Sequence, residues 1–183
     1  MSERPEQSTG RDPARANGPL TFPPLPAVWL LASAAVIALD IYTKRLASEV
    51  LVLYRPHEVL SWLNMTLAHN YGAAFSFLSS AGGWQRGFFI TLASVVSAVL
   101  LVWLLRLPRR EWLTGLGLAL VLGGAIGNLV DRVRLGYVVD FIDVHFKGWH
   151  YPAFNVADSA ITCGVALLII DVFLISTRRK DKE

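Results

Sequence analysis

The chain lacks most of what a soluble or cross-linked protein is built from. A single cysteine, Cys163, excludes an internal disulfide framework. Charged residues make up only 17% of the 183 residues, and the formal net charge is a small +3. No basic stripe with interleaved aromatics is present, so nucleic acid is not an expected partner. No serine is spaced with a histidine for nucleophilic catalysis. The four histidines, His57, His69, His145 and His150, match no known zinc spacing, even with Asp143 added, and no metal is expected. The first apolar run carries Asp40, ends in Lys44-Arg45 and has no small-residue cleavage pattern. It is therefore not read as a removable signal peptide.

Hydrophobic residues reach 54% of the chain, and the mean hydropathy is +0.45. This balance fits a small polytopic membrane protein. Residues 1–26 are polar, with several Pro and Gly, and read as a disordered cytoplasmic tail. Four apolar segments follow, at about 27–43, 84–105, 112–130 and 154–176. A bilayer core needs about 20 apolar helical residues, within roughly 17–25. Trp29, Trp84, Trp103 and Trp112 stand at segment ends, where aromatic belts belong. The short stretches with Arg4, Arg11 and Arg15, with Arg106, Arg109 and Arg110, and with Arg178, Arg179, Lys180 and Lys182 fall on one side of an even number of spans. The positive-inside rule makes that side cytoplasmic. Both termini, including the basic tail 177–183, are then cytoplasmic. The loops 46–83 and 131–152 face outward.

The first outer loop alternates roughly every second residue over Glu58–Asn70. That predicts one or two short strands lying on the membrane, able to pair with an extended peptide. A loop that merely caps the bundle is the alternative. Gly123 and Gly127 form a small-xxx-small face that lets another helix approach closely. Packing there would fix Asn128 and Arg132, which share a helix face.

The polar groups of interest gather between Gly123 and Asp158. Asp140 and Asp158 each lie where an apolar segment meets a polar loop, and carboxylates beside hydrocarbon usually do chemistry or handle ions. Asn155 and Asp158 are three apart at the start of the fourth segment, after Pro152, so Asp158 falls in a first helical turn. If Asp140 comes within reach, the two cannot both ionise freely and share a proton. One then activates water while the other protonates a carbonyl. The alternative is that Arg132 or Arg134 bridges both acids and merely holds the loop. Asp40 and Lys44 read as a pair neutralising charge near lipid, Asp131 as interfacial, Asp143 as a decoy for Asp140, Asp171 as snorkelling or paired, and Cys163 as a small core residue.

Four motifs together resemble the bacterial lipoprotein signal peptidases, or signal peptidase II. They are Asp40-x-x-x-Lys44; Asn70-Tyr71-Gly72-Ala73-Ala74-Phe75-Ser76-Phe77; Gly123-Gly-Ala-Ile-Gly-Asn128-Leu-Val-Asp131-Arg132; and Val138-Val139-Asp140-Phe141 followed by Phe154-Asn155-Val156-Ala157-Asp158. The resemblance covers Ala27 to about Ser176. It implies a four-helix transmembrane bundle with a small β-rich cradle on the outer, periplasmic face. It also implies an aspartic endopeptidase of the inner membrane that removes signal peptides from diacylglyceryl-modified prolipoproteins, cutting just before the lipidated cysteine. The implied catalytic pair is Asp140 and Asp158. The implied supporting shell is Asp40, Lys44, Asn70, Asn128, Arg132 and Asn155. No cofactor is implied, globomycin-type inhibitors are expected to occupy the dyad, membrane lipids are expected contacts, and a monomer suffices. An ion- or proton-coupled transporter and a non-catalytic four-span protein are the alternatives. The clustering of acids at one surface and the absence of an internal repeat weigh against the transporter.

Overall fold

A computed structural model describes residues 26–72, 83–108 and 111–180 of the chain. The amino-terminal tail, Ala73–Phe77 of the second motif, most of the Ser79–Gly83 turn, Arg109, Arg110 and Lys182 lie outside the described residues. Four helices carry the apolar runs: α1 (Pro26–Val50), α2 (Trp84–Arg106), α3 (Trp112–Arg134) and α4 (Val156–Lys180). All four are long and apolar enough to cross a membrane. Four strands, β1 (His57–Leu60), β2 (Leu63–Asn70), β3 (Val138–Phe146) and β4 (Trp149–His150), form one antiparallel sheet in the order β1-β2-β3-β4.

The helix α3 is the hub, and α1, α2 and α4 each pack mainly on it. Its most apolar stretch is 56% buried, against 17% or less in the other three. Two glycines permit the close approach of α1. A Cβ at Gly123 would lie 2.8 Å from the Val36 side chain and 2.9 Å from the Ser33 carbonyl. A Cβ at Gly127 would lie 2.6 Å from the Asp40 carboxylate. The Ser33 hydroxyl crosses the same seam to the Ala119 carbonyl at 2.9 Å.

Several elements differ from the sequence expectation, each for a physical reason. α1 continues past Thr43 to Val50, and α3 continues to Arg134. Charged residues end an apolar run without ending a helix, because here Asp40, Lys44 and Asp131 are buried and paired. Asp131 is thus an interior residue rather than an interfacial one. Trp29 is half-buried against Gly115 instead of joining the aromatic belt, whereas Trp84, Trp103 and Trp112 are exposed. Cys163 is exposed on α4 rather than packed in the core. Asp171 is paired: it accepts from the Thr114 hydroxyl.

The second outer loop, in which no strand was predicted, supplies half the sheet. Val138, Val139, Asp140 and Phe141 are all buried. A strand covered on both faces shows no alternation and so hides from pattern reading. Val139 and Phe141 pack with Leu67 of β2 and Ala47 of the α1 extension. Asp140, on the opposite face of the pleat, is directed away from that cluster. A two-residue turn, Lys147-Gly148, closes the β3–β4 hairpin with both residues at positive φ, as a type I′ turn requires.

Candidate active site

The site is assembled from the beginning of α4. Asn155 precedes the helix, and its Oδ1 accepts the Asp158 N–H at 2.9 Å. The Asp158 Oδ2 accepts the Asn155 N–H in return at 3.2 Å. This reciprocal pair is a capping box built from Asn and Asp, satisfying two N–H groups that a helix start leaves free. A third, the Ala157 N–H, donates to Asp40 Oδ1 of α1 at 2.9 Å. One end of α4 is thereby held by a residue 117 positions away in sequence.

Asp40 also anchors a buried cation. The Lys44 ammonium lies 2.7 Å from Asp40 Oδ2, 3.0 Å from Asp131 Oδ2 and 2.8 Å from Asn128 Oδ1, so all three of its protons have acceptors. Asp131 Oδ2 accepts the Val139 N–H at 3.1 Å, which fixes the start of β3. With its carbonyl turned to Lys44, Asn128 must present its amide N–H group to Asp158, and it donates to Asp158 Oδ1 at 2.8 Å. The Asn155 amide donates to Asp140 Oδ1 at 2.7 Å, with the Val139 carbonyl and Asn128 Oδ1 each at 3.2 Å. Asn70 of β2, beside Asp140 in the sheet, donates to Asp140 Oδ2 at 3.1 Å.

Each of the four carboxylate oxygens of Asp140 and Asp158 thus accepts one bond from a neutral N–H, and each keeps a lone pair free. Among the described residues no Lys or Arg nitrogen lies within 4.0 Å of either carboxylate. The Arg132 or Arg134 bridge is therefore not what the structure contains. Arg132 lies over the Phe89 ring at 5.2 Å and donates to the Gly72 carbonyl at 2.9 Å. Without an adjacent cation, burial and then the charge of Asp158 push the Asp140 carboxyl up to about 7. Bonds from Asn70 and Asn155 and the more distant Lys44 offset only part of that rise.

Asp140, Asp158, Asn70, Asn128 and Arg132 line one cavity of about 440 Å³. Tyr54, His69, Tyr151, Phe154 and Ile161 are among its other wall residues. Sequence reasoning did not single out Tyr54, Tyr151 or Ile161, and it named Phe154 only within a motif and His69 only among the scattered histidines. These wall residues are spread over four segments, and only the fold brings them together. Lys44, Asp40 and Asn155 do not line the cavity and act through their neighbours. Asp143 lies elsewhere, held by Thr66 at 3.0 Å, Asn64 at 3.5 Å and His150 at 2.8 Å. Burial alone would raise its carboxyl, but those three bonds outweigh it and hold the group below its usual range. His145 stacks on His150 with ring centroids 5.1 Å apart.

Residues 32–174 match the profile of the family described as signal peptidase (SPase) II. The chain belongs to the signal peptidase II family. Relatives agree across nearly the whole length. The lipoprotein signal peptidase of Acinetobacter baumannii is 54% identical over 162 residues, covering 88% of this chain and 92% of that one. That of Teredinibacter turnerae is 55% identical over 143 residues, covering 78% and 85%. A solved bacterial membrane enzyme, determined by the in meso method at 2.3 Å resolution, superposes with a TM-score of 0.76 at 32% identity, covering 86% of this chain and 94% of that one. Family membership makes the protein a multi-pass membrane peptidase of the aspartic type. It does not favour the transporter or the purely structural four-span reading.

Proposed function

We propose that Asp140 and Asp158 are the catalytic pair, and that the protein removes the signal peptide from diacylglyceryl-modified prolipoproteins, cutting just before the lipidated cysteine. The observation that carries this reading is the neutral amide cradle. Asn70, Asn128 and Asn155 hold both carboxylates without neutralising them. Such a pair keeps one proton between its two members near neutral pH. The ionised member takes a proton from a water as that water attacks the scissile carbonyl carbon. The protonated member gives its proton to the carbonyl oxygen. Collapse of the tetrahedral adduct breaks the C–N bond, and a proton passes to the leaving nitrogen. Acid and base are not assigned to one residue each.

Asp40, Lys44 and Asn155 are positioning residues in this reading, while Arg132, on the cavity wall, is available to a substrate carbonyl or lipid head group. Charge distribution supports a location in the bacterial inner membrane with both termini cytoplasmic and the dyad near the outer face. Outer-leaflet lipids then border the cavity along Ile161 and Thr162 of α4. A globomycin-type inhibitor would occupy the dyad, and a monomer contains every group the reaction uses.

The deciding experiment is cleavage of a diacylglyceryl-modified prolipoprotein by the purified protein in lipid, beside Asp140→Asn and Asp158→Asn. The parent is expected to cut just before the modified cysteine and both folded variants to be inactive. A variant that keeps near-parental rate would remove that aspartate from the pair.

A further inference from the structure

One strand of the sheet ends its pairing early beside the dyad. In an antiparallel ladder, residues opposite each other either exchange both main-chain hydrogen bonds or turn both N–H and C=O outward. Val139 turns outward: its N–H goes to Asp131 Oδ2 at 3.1 Å, and its carbonyl accepts from Asn155 at 3.2 Å. The register partner of Val139 is His69. His69 must therefore also point its N–H and C=O away from β3, toward the far edge of β2.

On that edge β1 pairs with β2 only over Leu63–Met65. Upstream chain covers one position more, through a parallel bridge from Leu53 to Leu67 and a 2.8 Å bond from the Tyr54 N–H to the Leu67 carbonyl. Cover then stops, because Tyr54 adopts a left-handed φ of 58° and the chain turns away through Arg55 and Pro56. A bulky non-glycine residue held at positive φ is costly and tends to persist where a site requires it. Among the described residues, no strand pairs with His69 on this side. Tyr54 and His69 both line the cavity that holds Asp140 and Asp158. The adjoining residue, Asn70, donates to Asp140 Oδ2.

We propose that the outward N–H and C=O of His69 are the docking edge for the extended peptide flanking the scissile bond, with Tyr54 as the wall that ends the strand and fixes the register. The inference rests on Asp140 and Asp158 being the catalytic pair and adds how the peptide is presented to them. Strand addition suits this occupant. Main-chain bonds tolerate varied sequences, while wall residues select side chains at alternate positions. Asn70 is one residue beyond the docking pair and reaches from β2 to Asp140 Oδ2 at 3.1 Å, so a peptide leaving the His69 edge on that side enters the cavity that holds the dyad.

The test uses the full chain in lipid and a diacylglyceryl-modified peptide spanning the cut. Single main-chain N-methyl groups are placed in turn at each position on either side of the scissile amide, which is itself left unmodified. A methyl on the nitrogen that meets the His69 carbonyl is expected to raise KM about tenfold, the usual scale for one buried donor lost. The immediate neighbours, whose N–H groups point the other way, are expected to change less than threefold. Small and uniform effects on a peptide that is still cut would overturn the docking edge. An unmodified peptide that is not cut at all would overturn the catalytic reading beneath it. Tyr54→Gly gives a second handle, because glycine adopts this φ readily. Melting should be unimpaired while KM rises severalfold and kcat changes little; an unchanged KM would remove Tyr54 from the site.

Discussion

Asp40 and Asp131 sit within 3.0 Å of the Lys44 ammonium, whereas Asp140 and Asp158 accept only from neutral N–H groups. Both pairs border the same residue, Asn128, whose carbonyl faces Lys44 and whose amide N–H group faces Asp158. The first pair brackets a cation and ties α1 to α3, α4 and β3. The second is held in place but not neutralised, and so keeps a proton to exchange. With Asp140 and Asp158 as the proposed catalytic pair, the difference between a structural carboxylate and a reactive one lies in the donor, not in the acid.

The largest expected effect breaks the second pair. Asp140→Asn or Asp158→Asn should lower kcat/KM by about 10⁴-fold or more, as for residues that act as a unit, with folding intact by circular dichroism. Next is the first pair. Lys44→Met leaves two buried acids without their cation and should cost about 3–5 kcal/mol of stability, seen as a lower Tm in detergent. A Tm like that of the parent would mean that the ammonium is dispensable.

Acidity sharpens the same contrast. The Asp140 carboxyl is raised from 3.8 to about 7. Between those values the folded protein retains a proton that the unfolded chain has released, so this group makes stability fall as pH rises across the window. The Tm gain of Asp140→Asn over the parent should therefore be larger at pH 8 than at pH 5; a gain independent of pH would contradict the shifted group. Asn70→Ala removes a bond that lowers the Asp140 carboxyl. It should move the alkaline limb of the rate profile upward and reduce kcat about tenfold. The smallest effect belongs to Asp143→Asn, which lies outside the cavity and should leave kcat/KM within about threefold.

Much of this arrangement was legible before the fold. The four spans followed from hydropathy, and the strands of the first outer loop from alternation. Asp140, Asp158 and their supporting residues were marked by motif. What stayed hidden is instructive in its cause. β3 is buried on both faces, so the strand that carries Asp140 read as a loop. Asp131 looked interfacial because its partner Lys44 is 87 residues earlier in the chain and nothing local announces a triad. Tyr54 and His69 carry no motif at all. Their importance comes from a turn and a register, which are properties of the fold.

The capping box at the start of α4 has a further consequence for assembly. On the proposed reading Asp158 reacts only where Asn128 and Asn155 hold it, and Asn155 takes up its position by starting the last helix of the described chain. Until α4 docks on α3 and its first turn meets Asp40, the two acids are not presented to one another. A half-built copy in the membrane is consequently not a protease. Neighbouring chains are then spared indiscriminate cutting during biogenesis, because completing the bundle and arming the enzyme are one event.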